Sequence, residues 1–146
     1  MTVDEAKAYL RQIEKCGCRI EHKKQLLREL SNKILNVPSF QYSEDKVSGG
    51  GSGGTGFADD VIKKIELENE INADIIKLEY MKNDITNQIH KLDKPIHINI
   101  LFKRYVENKE FETIADETYY ELGYVYNQHG KALQAFAEKM KRCEEM

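Results

Sequence analysis

The sequence predicts an all-α fold, a long antiparallel helical hairpin followed by a compact three-helix head, and three observations carry that expectation. Apolar residues recur every seven positions at Ala6, Ile13, Ile20, Leu27 and Ile34. A second stripe, Val61, Ile65, Ile71, Ile75, Leu78, Ile85, Ile89 and Leu92, runs at mostly three- and four-residue spacing. From Leu101 to Leu133, short apolar runs alternate with polar breaks, as two helices across a tight turn require. The only two prolines, Pro38 and Pro95, stand where helices must break.

The first helix is expected over Thr2–Asn36. Thr2 and Glu5 have capping-box spacing, so each side chain can satisfy a backbone N–H of the other. Val3 and Leu10 precede Ala6 and Ile13 by three residues, a coiled-coil pattern. The companion positions then hold Gly17, Lys24 and Ser31, so the seam suits one partner helix better than an independent zipper. Pro38 ends the helix, and residues 37–56 read as a linker. Its run from Ser48 to Gly56 holds six of the nine glycines, a flexible-coil composition that resembles an engineered linker and fits a natural low-complexity loop equally well.

The second helix is expected over Phe57–Asp93, with Asp59 and Asp60 near the positive end of its dipole. Thr2–Asn36 carries eight basic and five acidic residues, a balance of +3, and Phe57–Asp93 five basic and nine acidic, a balance of −4. Opposite charge favours antiparallel pairing, although an exposed ion pair contributes only ~0.2–1 kcal/mol and burial of the stripes must dominate. Such a hairpin is ~50 Å long at ~1.5 Å per residue. The expected division is 1–93 for the hairpin and 94–146 for the head. The head reads as helices at Ile96–Glu107, Glu112–Tyr119 and Leu122 towards Arg142. Its core would draw on Leu101, Phe102, Tyr105, Phe111, Ile114, Ala115, Val125, Ala132, Leu133 and Phe136, with Arg104 covering the surface beside Tyr105.

Composition narrows the function. With 146 residues, 32% charged, no Trp and a formal net charge of −3, the chain suits solvated helices and argues against general polyanion binding. The odd count of three cysteines, Cys16, Cys18 and Cys143, predicts no disulfide framework and fits a reducing cytoplasm. Charge from Asp4 onward predicts no secretory leader, and no apolar run approaches the ~18 residues of a membrane span. On one helix Cys16 and Cys18 point ~200° apart, and Cys18 with His22 supplies too few ligands, so no metal or cofactor is expected. His90, His97 and His129 lack nucleophile partners, so no enzyme is expected. His129 is expected on a helix surface, against solvent or phosphate.

Leu101, Arg104-Tyr105, Ile114-Ala115, Val125 and His129-Gly130-Lys131-Ala132-Leu133 carry a family resemblance. Tyr9-Leu10, Ile13 and Asp45-Lys46-Val47 extend it in the same order over most of the chain. The chain resembles a family of small uncharacterised proteins from phages and prophages of Gram-positive bacteria, in which a helical hairpin precedes a sigma-70 region-4-like helix-turn-helix. Its C-terminal part is also similar to RinA- and ArpU-type phage transcriptional regulators. The resemblance implies a transcription regulator that binds double-stranded DNA. Glu112–Tyr119 would cross the backbone while Leu122, Gly123, Tyr126 and Asn127 face the major groove. Asn127 would read adenine, and Tyr126 a phosphate or a thymine methyl. Lys103, Arg104, Lys109 and Lys131 would contact phosphates. The chain departs from the pattern at Tyr119, where the turn usually has Gly, at Glu121, the N-cap usually given to Ser or Thr, and at Gln128, usually Leu or Ile.

Lys94–Met146 carries eight basic and nine acidic residues, a balance of −1, whereas a DNA reader usually shows a basic face. The alternative is therefore a helical adaptor or inhibitor that binds RNA polymerase or another host protein through the hairpin. The hairpin would serve dimerisation or protein contact; in a homodimer the two reading helices would stand ~34 Å apart.

Overall fold

The computed structural model describes residues 1–36 and 50–145, and all regular structure among them is helical. The elements are α1 (Val3–Leu10), α2 (Gln12–Asn36), α3 (Gly50–Ile89), α4 (Pro95–Leu101) continuing into a π-helical turn (Phe102–Val106), α5 (Phe111–Thr118) and α6 (Leu122–Glu145). The expected all-α class is what the chain adopts. The linker expected at 37–56 lies outside the described residues over 37–49. From Gly50 onward it is helical, where coil was expected. Each glycine there costs a helix ~1 kcal/mol, and the segment is carried by propagation from α3, which adds one hydrogen bond per residue ordered.

The chain divides into two compact units, Met1–Gly17 with Leu78–Met146, and Cys18–Lys77. The expected boundary between residues 93 and 94 falls inside the first of these. The reason lies in α1. Thr2 caps it as its spacing predicts, accepting from the Glu5 N–H at 3.2 Å while its own N–H donates to Glu5 Oε2 at 3.4 Å. Arg11, with ψ of −4°, then separates α1 from α2 where one helix was expected. Ala6, Leu10 and Ile13 are buried with Ile85, Ile89 and Leu92, and with Leu101, Tyr105, Ala132, Leu133 and Phe136. The N-terminal seam thus packs on the same core as α4 and α6, and Tyr9 stacks on Phe136 at 5.9 Å between ring centroids.

A second cluster in this unit joins Ile100, Ile114, Ala115 and Val125, flanked by Ile96, Phe111 and Leu122. The single head core expected from the sequence is therefore split. Ile114, Ala115 and Val125 tie α5 and the start of α6 to α4, whereas Leu101, Tyr105, Ala132, Leu133 and Phe136 join the cluster that contains α1 and the end of α3. Pro95 opens α4 at its first position behind an extended Lys94, where a missing N–H costs nothing.

In the second unit α2 and α3 run antiparallel, with Lys23 paired to Asp74 at 2.6 Å and Lys33 to Asp60 at 3.4 Å. Among its described residues Ile20 and Ile71 are the buried apolar ones. The Lys23 hydrogen bond holds the Asp74 carboxyl below its ordinary range. Among the described residues no helix is long and apolar enough to cross a membrane.

Candidate functional site

The site is built on the connection Tyr119-Tyr120-Glu121 between α5 and α6. Thr118 ends α5, its hydroxyl donating to the Ile114 carbonyl at 2.6 Å. Tyr119 then takes the left-handed conformation, φ 62° and ψ 24°, at the position where the resemblance expects glycine. A side chain there costs ~1–2 kcal/mol, yet Tyr119 is 95% exposed. The Glu121 carbonyl accepts from the Val125 N–H at 3.0 Å and so starts α6. Tyr119→Gly should therefore raise unfolding stability by ~1 kcal/mol, read as a higher denaturant midpoint at unchanged slope. A lower midpoint would show that the ring has a partner within the fold.

The inner face of α6 carries Val125, His129, Ala132 and Phe136, all buried. The opposite face exposes Gly123, Asn127, Gly130 and Lys131, whereas Leu122 is half-buried against the second cluster. A Cβ added at Gly123 or Gly130 would meet nothing within 4 Å, so packing does not demand glycine at either position. Tyr126 is partly exposed and rests on Phe111, ring centroids 4.8 Å apart. Tyr120 and Tyr124 pair at 5.0 Å on the surface, a cluster that charge-centred reading of the sequence missed.

The three basic residues before α5 are engaged within the fold. Lys109 Nζ lies 2.6 Å and 2.9 Å from the two Glu117 oxygens and 3.1 Å from Glu107. Lys103 Nζ lies 3.0 Å from Glu117. Hydrogen bonds from Lys109 and then Lys103 hold the Glu117 carboxyl below its ordinary range. Arg104 donates to the Lys109 carbonyl at 3.0 Å and stands over the Phe111 ring at 4.6 Å. The π turn helps place them. The Glu107 N–H reaches five residues back to the Phe102 carbonyl at 3.0 Å, and left-handed Asn108 lets the Lys109 N–H reach the Lys103 carbonyl. Of the eight residues expected at a DNA surface, Gly123, Asn127 and Lys131 share one exposed face. Lys103 and Lys109 converge instead on Glu117, a partner that no spacing in the sequence indicates.

Two histidines of this unit are buried. His129, expected at the surface, is 9% exposed. It shares a 2.7 Å hydrogen bond with the Tyr105 hydroxyl and meets the Phe111 ring edge-on at 4.8 Å. The 125-129-132-136 spacing, in steps of four, three and four, already marks an inward stripe. His97 is buried with its Nε2 3.2 Å from Gln128 Oε1, so Gln128 fills its apolar position by satisfying a histidine. Among the described residues no three His, Cys, Asp or Glu side chains are grouped to hold a metal ion.

Together these features define an all-α protein whose exposed helix face follows a strained turn. Compared with protein-family models, curated proteins and solved structures, the chain matches none.

Proposed function

We propose that the chain is a cytoplasmic DNA-binding regulator of transcription, of the phage-encoded kind it resembles, with α5 and α6 acting as a helix-turn-helix. The observation that carries this reading is the outer face of α6. Gly130 lies inside a helix, where glycine costs ~1 kcal/mol against alanine, and the fold does not require it. A close-approaching duplex does, because a bare backbone lets the helix seat deeply in the major groove. Asn127 and Lys131 lie next to Gly123 and Gly130 on the same exposed side of α6, one suited to an adenine edge and the other to a phosphate. Tyr119, 95% exposed at the turn that leads into α6, holds its ring out where an external partner can meet it.

The adaptor reading rests on a different observation. Lys103, Arg104 and Lys109 are engaged internally, which leaves Lys131 as the basic residue next to Asn127 and Gly130, while Leu26 and Leu35 of α2 stand open to solvent.

Salt titration of duplex binding separates the two. Each phosphate neutralised contributes a slope of about −0.9 in log K against log salt. The α6 face of one head predicts a shallow slope of about −1 to −2. Glu117→Gln, by freeing Lys103 of its carboxylate and leaving Lys109 only Glu107, should tighten binding and steepen the slope. Asn127→Ala should flatten base preference with little loss of total affinity. Undetectable binding at low salt, for wild type and Glu117→Gln alike, would remove the DNA reading and leave the adaptor.

A further inference from the structure

The helix α3 carries a second apolar stripe on its solvent side. Ile62, Ile65, Asn69, Ala73 and Ile76 fall within a sector of ~80° at ~100° per residue, away from the face that buries Asp60 and Ile71. All five are exposed, the isoleucines at 53%, 52% and 58% in chain order. Side chains of this kind on a helix that already has one partner mark a surface awaiting a second.

The order of the stripe identifies the occupant. Its steps are three, four, four and three residues, which read the same in both directions about Asn69. Two copies laid antiparallel across a two-fold axis at Asn69 therefore match residue for residue. Ile62 of each copy meets Ile76 of the other, and Ile65 meets Ala73, large against small. Self-complementarity of this kind is the requirement of an isologous interface. The lone polar residue sits on the axis, where two amides can hydrogen-bond each other and fix the register. Antiparallel pairing brings Asp59 of one copy within a turn of Lys77 of the other and Glu66 within a turn of Glu70 of the other, so the flank is mixed in charge and the apolar stripe carries the match. Glu66 and Glu70 share that flank, and Glu70 lies 3.7 Å from Lys23 of its own chain.

We infer that the chain forms an antiparallel homodimer through this outer face of α3, centred on Asn69. The contact joins one helix to one helix over Ile62–Ile76, a small interface, so the dimer belongs to the weak, reversible class. The inference stands independently of what α6 binds, since both functional readings are compatible with a dimer.

Sedimentation of the full chain tests it. The wild type should convert from monomer to dimer with a Kd on the order of 10 µM. Ile65→Lys should weaken that by ~10-fold or more at an unchanged melting temperature, since the residue is half-exposed in the monomer. Leu26→Lys, on α2, should leave the dimer intact. Orientation is read by crosslinking with Cys16, Cys18 and Cys143 replaced by Ser. Asn69→Cys should oxidise to a covalent dimer, and Ile62→Cys should crosslink to Ile76→Cys but not to itself. A chain monomeric at every concentration, a dimer indifferent to Ile65→Lys, or a self-crosslink of Ile62→Cys would each overturn the inference.

Discussion

Phe136→Ala should remove ~3–5 kcal/mol of unfolding free energy, since it truncates the bulkiest of the fully buried side chains among the described residues. Phe136 is fully buried and belongs to the cluster that joins α1, the end of α3, α4 and α6. Removing its ring opens a cavity that rigid neighbours on several helices cannot all collapse into. The same change removes the stack on Tyr9, so α1 should loosen with it. Amide exchange then provides a second readout. Protection should fall in Val3–Leu10 as well as in α6, although the two segments are separated by more than a hundred residues in the chain. A loss below ~1 kcal/mol, or unchanged protection in α1, would mean that α1 does not pack on this core in solution. The same coupling governs truncation. A fragment that starts at residue 94 would turn Leu101, Tyr105, Leu133 and Phe136 partly towards water, since Ala6, Leu10, Ile85 and Ile89 cover that side.

That coupling shows where sequence reading reached its limit. Helix ends marked by a capping box, a proline or a polar break are legible because those signals act locally, whereas the break at Arg11 and the start at Gly50 carry none of them. Thr2 with Glu5, Pro95 before α4, and the break after Thr118 each stand within a residue or two of expectation. The partner of a stripe is not a local property. Ala6, Leu10 and Ile13 are identical as sequence whether they face a hairpin partner alone or a core that also includes α6. Periodicity fixes which face is apolar and leaves open what covers it. The site divides in the same way. The exposure of Asn127 and Lys131 follows from helical periodicity, whereas the fate of Lys103 and Lys109 depends on Glu117, fourteen and eight residues away, and on a π turn with no sequence signature. Tyr119 is instructive in the opposite sense. Its residue type argues against a left-handed turn, yet the packing of Ile114, Ala115 and Val125 imposes one. Local preference of ~1–2 kcal/mol yields to tertiary burial there.

Acid should destabilise the first unit before its carboxylates titrate, by ~3 kcal/mol between about pH 6.5 and pH 4. The cause is His129. Burial, followed by the positive charges of Lys7, Arg104 and Arg11, pushes its imidazole down to about 4. An unfolded chain takes up this proton near the ordinary pKa of ~6.5, whereas the folded chain refuses it until about pH 4. In that interval the unfolded state binds more protons, so stability is fully present above the unfolded value and falls as pH drops through the window. Buried His97, also lowered, adds in the same direction. The Glu117 carboxyl, lowered by its lysine partners, costs stability only from the ordinary carboxylate range downward, and Asp74, lowered likewise, lies in the second unit. His129→Gln retains an amide able to hydrogen-bond the Tyr105 hydroxyl but cannot titrate. Unfolding free energies at pH 7, 6, 5 and 4 should therefore decline steeply for the wild type and much less for the variant. Parallel curves would show that His129 is accessible to protons in the folded state. The burial of the imidazole against Tyr105 and Phe111, and with it the register of α6 on the π turn, would then be wrong.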